Sequence, residues 1–271
     1  MPMKNLLVAF NGSEGSIAAL RYAASLAERS GAHVTAMMAH SAHEVIDKRS
    51  RWIPKEARAL LDAANSSILR EIEAKFEAER TALGLVNALQ LKEVTGRVDT
   101  VLSEAARHYD MLIVGSYSDT DDEHVTLHPD RIALMSGRPV VVVPAGYKGG
   151  GRLSHTALAW DGGRAAARAL SDSLRILEDD GRVSVLTVGP RTGWPIEDLM
   201  THLSRHGVEA VHEEWPTSHP VAATVLTWCR KHQPSLLVLG AFEHSKFRED
   251  LLGGVTSEVL AQIDIPVLLS H

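Results

Sequence analysis

The stretch NLLVAFNGSEGSIAALRYAASLAERSGAHVTAMMAH near the N-terminus has a second copy in HTALAWDGGRAAARALSDSLRILEDDGRVSVLTVG. No other feature of the chain limits the fold as strongly, because a repeat of this size means one structural unit built twice. Both stretches read as strand, turn, helix, strand. Asn11-Gly12-Ser13 and Asp161-Gly162-Gly163 stand at the same offset as Gly31 and Gly181. Those last two glycines each follow a helix, where a left-handed cap favours glycine. The copies also end alike. DMLIVGSY (110–117) matches SLLVLGAF (235–242), and SGRPVVVVP (136–144) matches IDIPVLLSH (263–271). The chain reads as two modules, 1–146 and 152–271, joined by GYKGGGR, whose glycines suggest a flexible linker.

The strands LLVAF, MLIVG, VVVVP, VSVLTV and LLVLG are unbroken apolar runs. Runs of this kind suit parallel strands covered on both faces. Strands alternating with helices give a doubly wound, Rossmann-like α/β fold in each module. Ala18, Ala19, Tyr22, Ala23 and Leu26 form one apolar helix stripe, and Ala166, Ala169, Leu170 and Leu174 form another. The copies differ in the middle: the first carries extra length in 41–85, which includes a long charged helix. After Gly115 the segment SYSDTDDEHVTLHPDRIALMSG is acidic and reads as a solvated loop.

Composition narrows the functional classes. The 271 residues are 45% hydrophobic with a formal net charge of -6, and no basic run stands out, which argues against nucleic acid as the main partner. No apolar run approaches the roughly 20 residues of a membrane helix. The N-terminus lacks signal-peptide anatomy, and the lone Cys229 forbids an internal disulfide. A cytoplasmic protein is the expectation.

No Walker loop, GxGxxG, CxxC or HExxH motif occurs. His202 and His206 lie four apart in a predicted helix, a chelating spacing, but they read as an exposed face. His124 and His128, beside Asp121, Asp122 and Asp130, fall in the acidic loop. Ser245 and His244 have no third group or oxyanion hole to make a hydrolase. Cys229 reads as a buried small hydrophobe and Trp160 as core or cleft wall. The residues point to no resident metal and to no catalytic set.

At these residues each copy resembles the universal stress protein family, and the whole resembles a tandem, two-domain member. The resemblance rests on the strand-Asx-Gly-Ser/Gly-helix opening, the ending in Pro-Val-apolar, and the segment GAFEHSKFREDLLGGVT (240–256). ATP-binding members carry Gly, two residues, Gly, nine residues, Gly, then Ser or Thr. Here Gly240 fits the first glycine, Glu243 stands at the second, Gly253 fits the third, and Gly254 replaces the hydroxyl residue.

The resemblance implies a regulatory or binding protein rather than a fast enzyme. It places ATP or another small anion, with Mg as its companion, in the second module only. Asp161 matches the acidic residue on the adenine side and Val188 lies near the adenine wall. Gly240, Gly253, Gly254, Val255 and Thr256 match the phosphate and ribose region. Phosphate would lie against backbone N–H groups at a helix start. Glu243 opposes this: like charges ~4 Å apart cost roughly 1–4 kcal/mol at effective dielectrics of about 80 to 20. Lys246 and Arg248 would offset part of that cost. In the first module Asn11 replaces the acid and no glycine pair follows Gly115, so no nucleotide is expected there. Asn11-Gly12-Ser13 then serves as a turn and helix cap. The resemblance also implies a pseudo-dimer through the last strands, PVVVVP and PVLLS, and a homodimer or protein partner. The alternatives are an interaction scaffold that binds no nucleotide and a slow ATPase.

Overall fold

A computed structural model describes residues 3–41, 54–85, 88–118, 125–150, 154–177, 182–189, 195–216, 219–241 and 254–271. The first half contributes strands β1 (Asn5–Ala9), β2 (His33–His40), β3 (Leu89–Thr95), β4 (Met111–Gly115) and β5 (Val140–Val143). The second contributes β6 (His155–Ala159), β7 (Arg182–Val188), β8 (Glu209–Trp215), β9 (Leu236–Gly240) and β10 (Val267–Ser270). They form a single sheet in the order β3-β2-β1-β4-β5-β10-β9-β6-β7-β8. Pairing is parallel within each half. The halves meet in an antiparallel pair, with Val267 opposite Val142 and Leu268 opposite Val141. The expected pseudo-dimer through the last strands is therefore one continuous sheet.

The helices are α1 (Glu14–Ser30), α2 (Lys55–Ala82), α3 (Val98–Ala106), α4 (Pro129–Ser136), α5 (Arg164–Leu177), α6 (Ile196–Arg205), α7 (Val221–His232) and α8 (Val255–Gln262). One face of the sheet packs Leu6 and Val8 with Tyr22 of α1, Phe76 of α2, Leu170 of α5 and Leu203 of α6. The other packs Leu7 and Ala9 with Leu102 of α3, Ile132 of α4, Trp228 of α7 and Val259 of α8. Successive strand residues point to opposite faces. With helices on both, the inner strands β1, β4, β5, β9 and β10 are nearly all apolar, while the edge strands β3 and β8 carry Lys92, Glu93, Glu213 and Glu214. Valines and leucines of β5 and β10 are buried, each worth about 1.5–3 kcal/mol relative to exposure. The seam between the halves is thus core.

One further contact ties the halves together. Arg175 Nη1 of α5 lies 3.7 Å from Asp110 Oδ1. Asp110 Oδ2 accepts from the Lys4 and Asn5 amides at 2.7 and 3.0 Å. The join also differs from a flexible linker over 145–150. Tyr147 packs edge-on against Tyr22 with ring centroids 6.2 Å apart. Its hydroxyl donates to the Gly150 carbonyl at 3.4 Å. An aromatic anchor amid the glycines holds this segment on α1.

Candidate crevice at the strand ends of the second half

In the second half the chain leaves β6 through α5 on one face and leaves β9 through α8 on the other. The boundary between β6 and β9 is therefore a topological switch point, where open α/β sheets form a crevice outside the carboxyl ends of the strands. Ala159 is in register with Leu186 and Leu239. Asp161, two residues on, therefore stands level with Val188, and Gly240 ends the neighbouring strand. Gly254 begins α8 across the crevice. Residues far apart in sequence thus reach one edge of the sheet.

Each position has a local cause. Asp161 Oδ1 accepts the Gly163 amide at 2.8 Å, an Asx turn ahead of α5. Gly162, with φ 80, takes the left-handed conformation that turn needs. Val188 is half-buried beside Trp215, its partner in β8. Gly240 touches the first turn of α5: a Cβ there would stand 2.4 Å from the Ala166 nitrogen and 2.6 Å from the Ala165 carbonyl carbon. Gly254 is the N-cap of α8 with φ -109 and ψ 171, and no side chain caps the helix. A Cβ on Gly254 would meet nothing within 4 Å. Val255 is partly exposed, Thr256 is buried, and the enclosed Ser257 hydroxyl has no hydrogen-bond partner. The start of α8 is the positive end of the helix dipole. Glu243 and Gly253 lie outside the described residues, as do His244, Ser245, Lys246 and Arg248.

The matching place in the first half is filled by the chain itself. Asn11 is buried. Its amide donates to the Val125 carbonyl at 3.2 Å, and its Oδ1 accepts from the Ser13 amide at 3.1 Å and the Ser13 hydroxyl at 2.7 Å. Ser13 Oγ caps α1 through the Ser16 amide. A Cβ on Gly12 would meet Lys75 and Ile72 of α2 at 3.2 and 3.3 Å, and Phe76 stacks edge-on against Phe10. The solvated-loop reading after Gly115 fails over part of its length: Val125 and Leu127 are buried. Two apolar residues spaced by one, in VTL, were the signal for this plug, and the surrounding acids masked it. His128 is held at 3.3 Å from Asp99 of α3, with its ring 5.4 Å from that of Tyr117. Asp121, Asp122 and His124 lie outside the described residues.

Of the remaining candidates, Trp160 packs half-buried against the core. Cys229 is buried, and burial, with Asp264 nearby, pushes its thiol up to about 12. His202 and His206 project from the exposed face of α6. No helix among the described residues is long and apolar enough to cross a membrane.

Comparison with known proteins agrees with this architecture. The family model for the universal stress protein family matches residues 2–144 and 199–271. Universal stress protein Slr1230 of Synechocystis sp. is 25% identical over 291 residues, spanning 98% of this chain and 99% of the relative. The crystal structure of a universal stress protein from Archaeoglobus fulgidus superposes with a TM-score of 0.70 at 14% identity, over 98% of this chain and 95% of that one. A functionally unknown protein from Pseudomonas aeruginosa PAO1 superposes with a TM-score of 0.58 at 15% identity, over 99% and 92% of the two chains. With two family segments on one ten-stranded sheet, the chain belongs to the universal stress protein family.

Proposed function

We propose that this stress-response protein is a regulatory binding module whose second half takes ATP, or a smaller anion, in the crevice between β6 and β9. One contrast carries the reading. Asp161, Val188, Gly240 and Gly254 converge at the strand ends of the second half, while the equivalent crevice of the first half is filled by Asn11, Val125 and α2. The residues fit such a ligand. Asp161 stands at the base side, and Val188 with Trp215 offers an apolar wall. The α8 amides and the bare Gly254 leave room for a phosphate to approach backbone N–H groups. Bound, the nucleotide supplies charge that Mg shares, and binding biases which exterior surface a protein partner or a second copy engages.

Glu243 is the element that weakens this cradle. The test is mass spectrometry of small molecules released from freshly purified protein, followed by calorimetric titration with ATP and Mg. Released adenine nucleotide, or binding tighter than roughly 10 µM, supports the reading. A Glu243→Gly variant should then bind at least ~5-fold tighter, as removal of a like charge requires. An empty chain that ignores ATP, with Glu243→Gly equally silent, sinks the proposal and leaves a protein scaffold.

A further inference from the structure

We propose that His202 and His206 form a surface chelate for a borderline divalent ion of the Cu, Ni or Zn kind, independent of the crevice. The sequence alone favours a solvated helix face. The geometry adds a reason to go further. The two ring centroids lie 4.7 Å apart at 63°. A shared metal would hold each ring nitrogen at about 2.0–2.1 Å, which puts each ring centre about 3.2 Å from the ion. For nitrogen–metal–nitrogen angles of about 90–110° the ring centres then stand about 4.5–5.2 Å apart. The pair already sits in that window. Both residues are exposed, on the side of α6 away from the core that Leu199 and Leu203 hold.

Position favours the ion as well. His202 lies in the last turn of α6 and His206 is its C-cap, the end of the helix dipole that attracts cations. Asp198, one turn earlier on the same exposed stripe, adds negative charge, which Arg205 partly opposes. Among the described residues no third carboxylate, imidazole or thiol completes a ligand set, so water fills the other coordination positions. Imidazole ligands with open water positions suit Cu, Ni and Zn, with Cu the tightest by the usual order of divalent affinities. The ion would fasten the last helical turn to the cap that leads through Gly207, at φ 73, into β8.

The test uses the full chain without an affinity tag, stripped with chelator and titrated with Cu²⁺ alone. The chain has 14 histidines, so the comparison between variants decides. His202→Gln and His206→Gln should each weaken the tightest site by at least fivefold, and the double variant should be little worse than either. That non-additivity marks one chelate rather than two separate sites. Electron paramagnetic resonance of the first equivalent of Cu²⁺ should show two coordinated imidazole nitrogens from these residues. A loss below fivefold in either single variant, additive losses, or a Cu²⁺ spectrum unchanged by both substitutions would overturn the proposal. Circular dichroism confirms that α6 persists in each variant.

Discussion

Gly240 lies so close to Ala166 that a Cβ on the glycine would stand 2.4 Å from the alanine nitrogen. The relation recurs in the first half, where a Cβ on Gly115 would stand 2.6 Å from the Ser16 nitrogen. In both, the last residue of the fourth strand abuts the backbone of the first helix. These atoms belong to helical backbone and cannot swing aside. Gly240→Ala should therefore destabilise the fold by about 1–3 kcal/mol through overpacking, read as a lower midpoint in urea unfolding. A midpoint equal to wild type would mean that the two elements slide apart freely.

Gly254 is the contrasting case. Its Cβ position is open and its backbone is extended, as an N-cap requires. Gly254→Ser adds an acceptor for the α8 amides and should raise stability by a few tenths of a kcal/mol. If the crevice binds phosphate, the same hydroxyl also strengthens ATP binding in calorimetry. A variant less stable than the parent would show that the cap geometry differs.

Asn11→Asp tests the plug of the first half. The substitution removes the donor that meets the Val125 carbonyl and leaves a buried charge facing it. The cost at neutral pH is about 2–4 kcal/mol. Burial raises the folded-state pKa of the new carboxyl above its unfolded value of about 3.9. The penalty is thus small below that value and grows as pH rises through the folded pKa. Denaturant midpoints compared at acidic and neutral pH should show this slope, and a penalty independent of pH would refute it.

Asp110 titrates in the opposite direction. Burial opposes its ionisation, yet the Lys4 and Asn5 amides, with Arg175 and Arg138, hold its carboxyl below the usual range. A depressed folded pKa gives stability that is present above the unfolded value near ~3.9 and lost as pH falls through the folded one. Asp110→Asn should therefore flatten the acid limb of the pH–stability curve below ~pH 4. A variant whose curve overlays the parent's there would show that the amide bonds and ion pairs of Asp110 together contribute nothing.

The Cys229 thiol, pushed up to about 12 by burial, stays protonated at ordinary pH. The native chain should resist alkylation by iodoacetamide at pH 8 and react once denatured, because the thiolate is the nucleophile. Rapid native labelling would contradict the packing of α7.

The repeat made the architecture legible. Local periodicity showed the strands and helices, and the shared offset of Asn11 and Asp161 placed the two halves in register before any contact was known. Gly240 was legible because a glycine ending an apolar strand has a local signature. The plug was not. Asn11 meets Val125 across a separation of 114 residues, and Val125 sits among acids that read as solvent-exposed. The hold of Tyr147 on α1 was hidden for a similar reason: one aromatic among glycines counts for little until its partner, Tyr22, is in place. What escaped the sequence was consistently a non-local contact made by one or two residues inside a stretch of opposite character.

The antiparallel joint of β5 with β10 has one more consequence. Two separate identical subunits meeting there would share every substitution, so a change that closed one crevice would close both. Fusion in a single chain frees the halves from that symmetry. One crevice can be given over to packing without the same change in its counterpart, and the pair stays in fixed one-to-one proportion at any dilution. The reversed strand direction also points the two mouths to opposite ends of the sheet. A ligand of the proposed crevice would therefore approach the sheet from the end away from the plugged one.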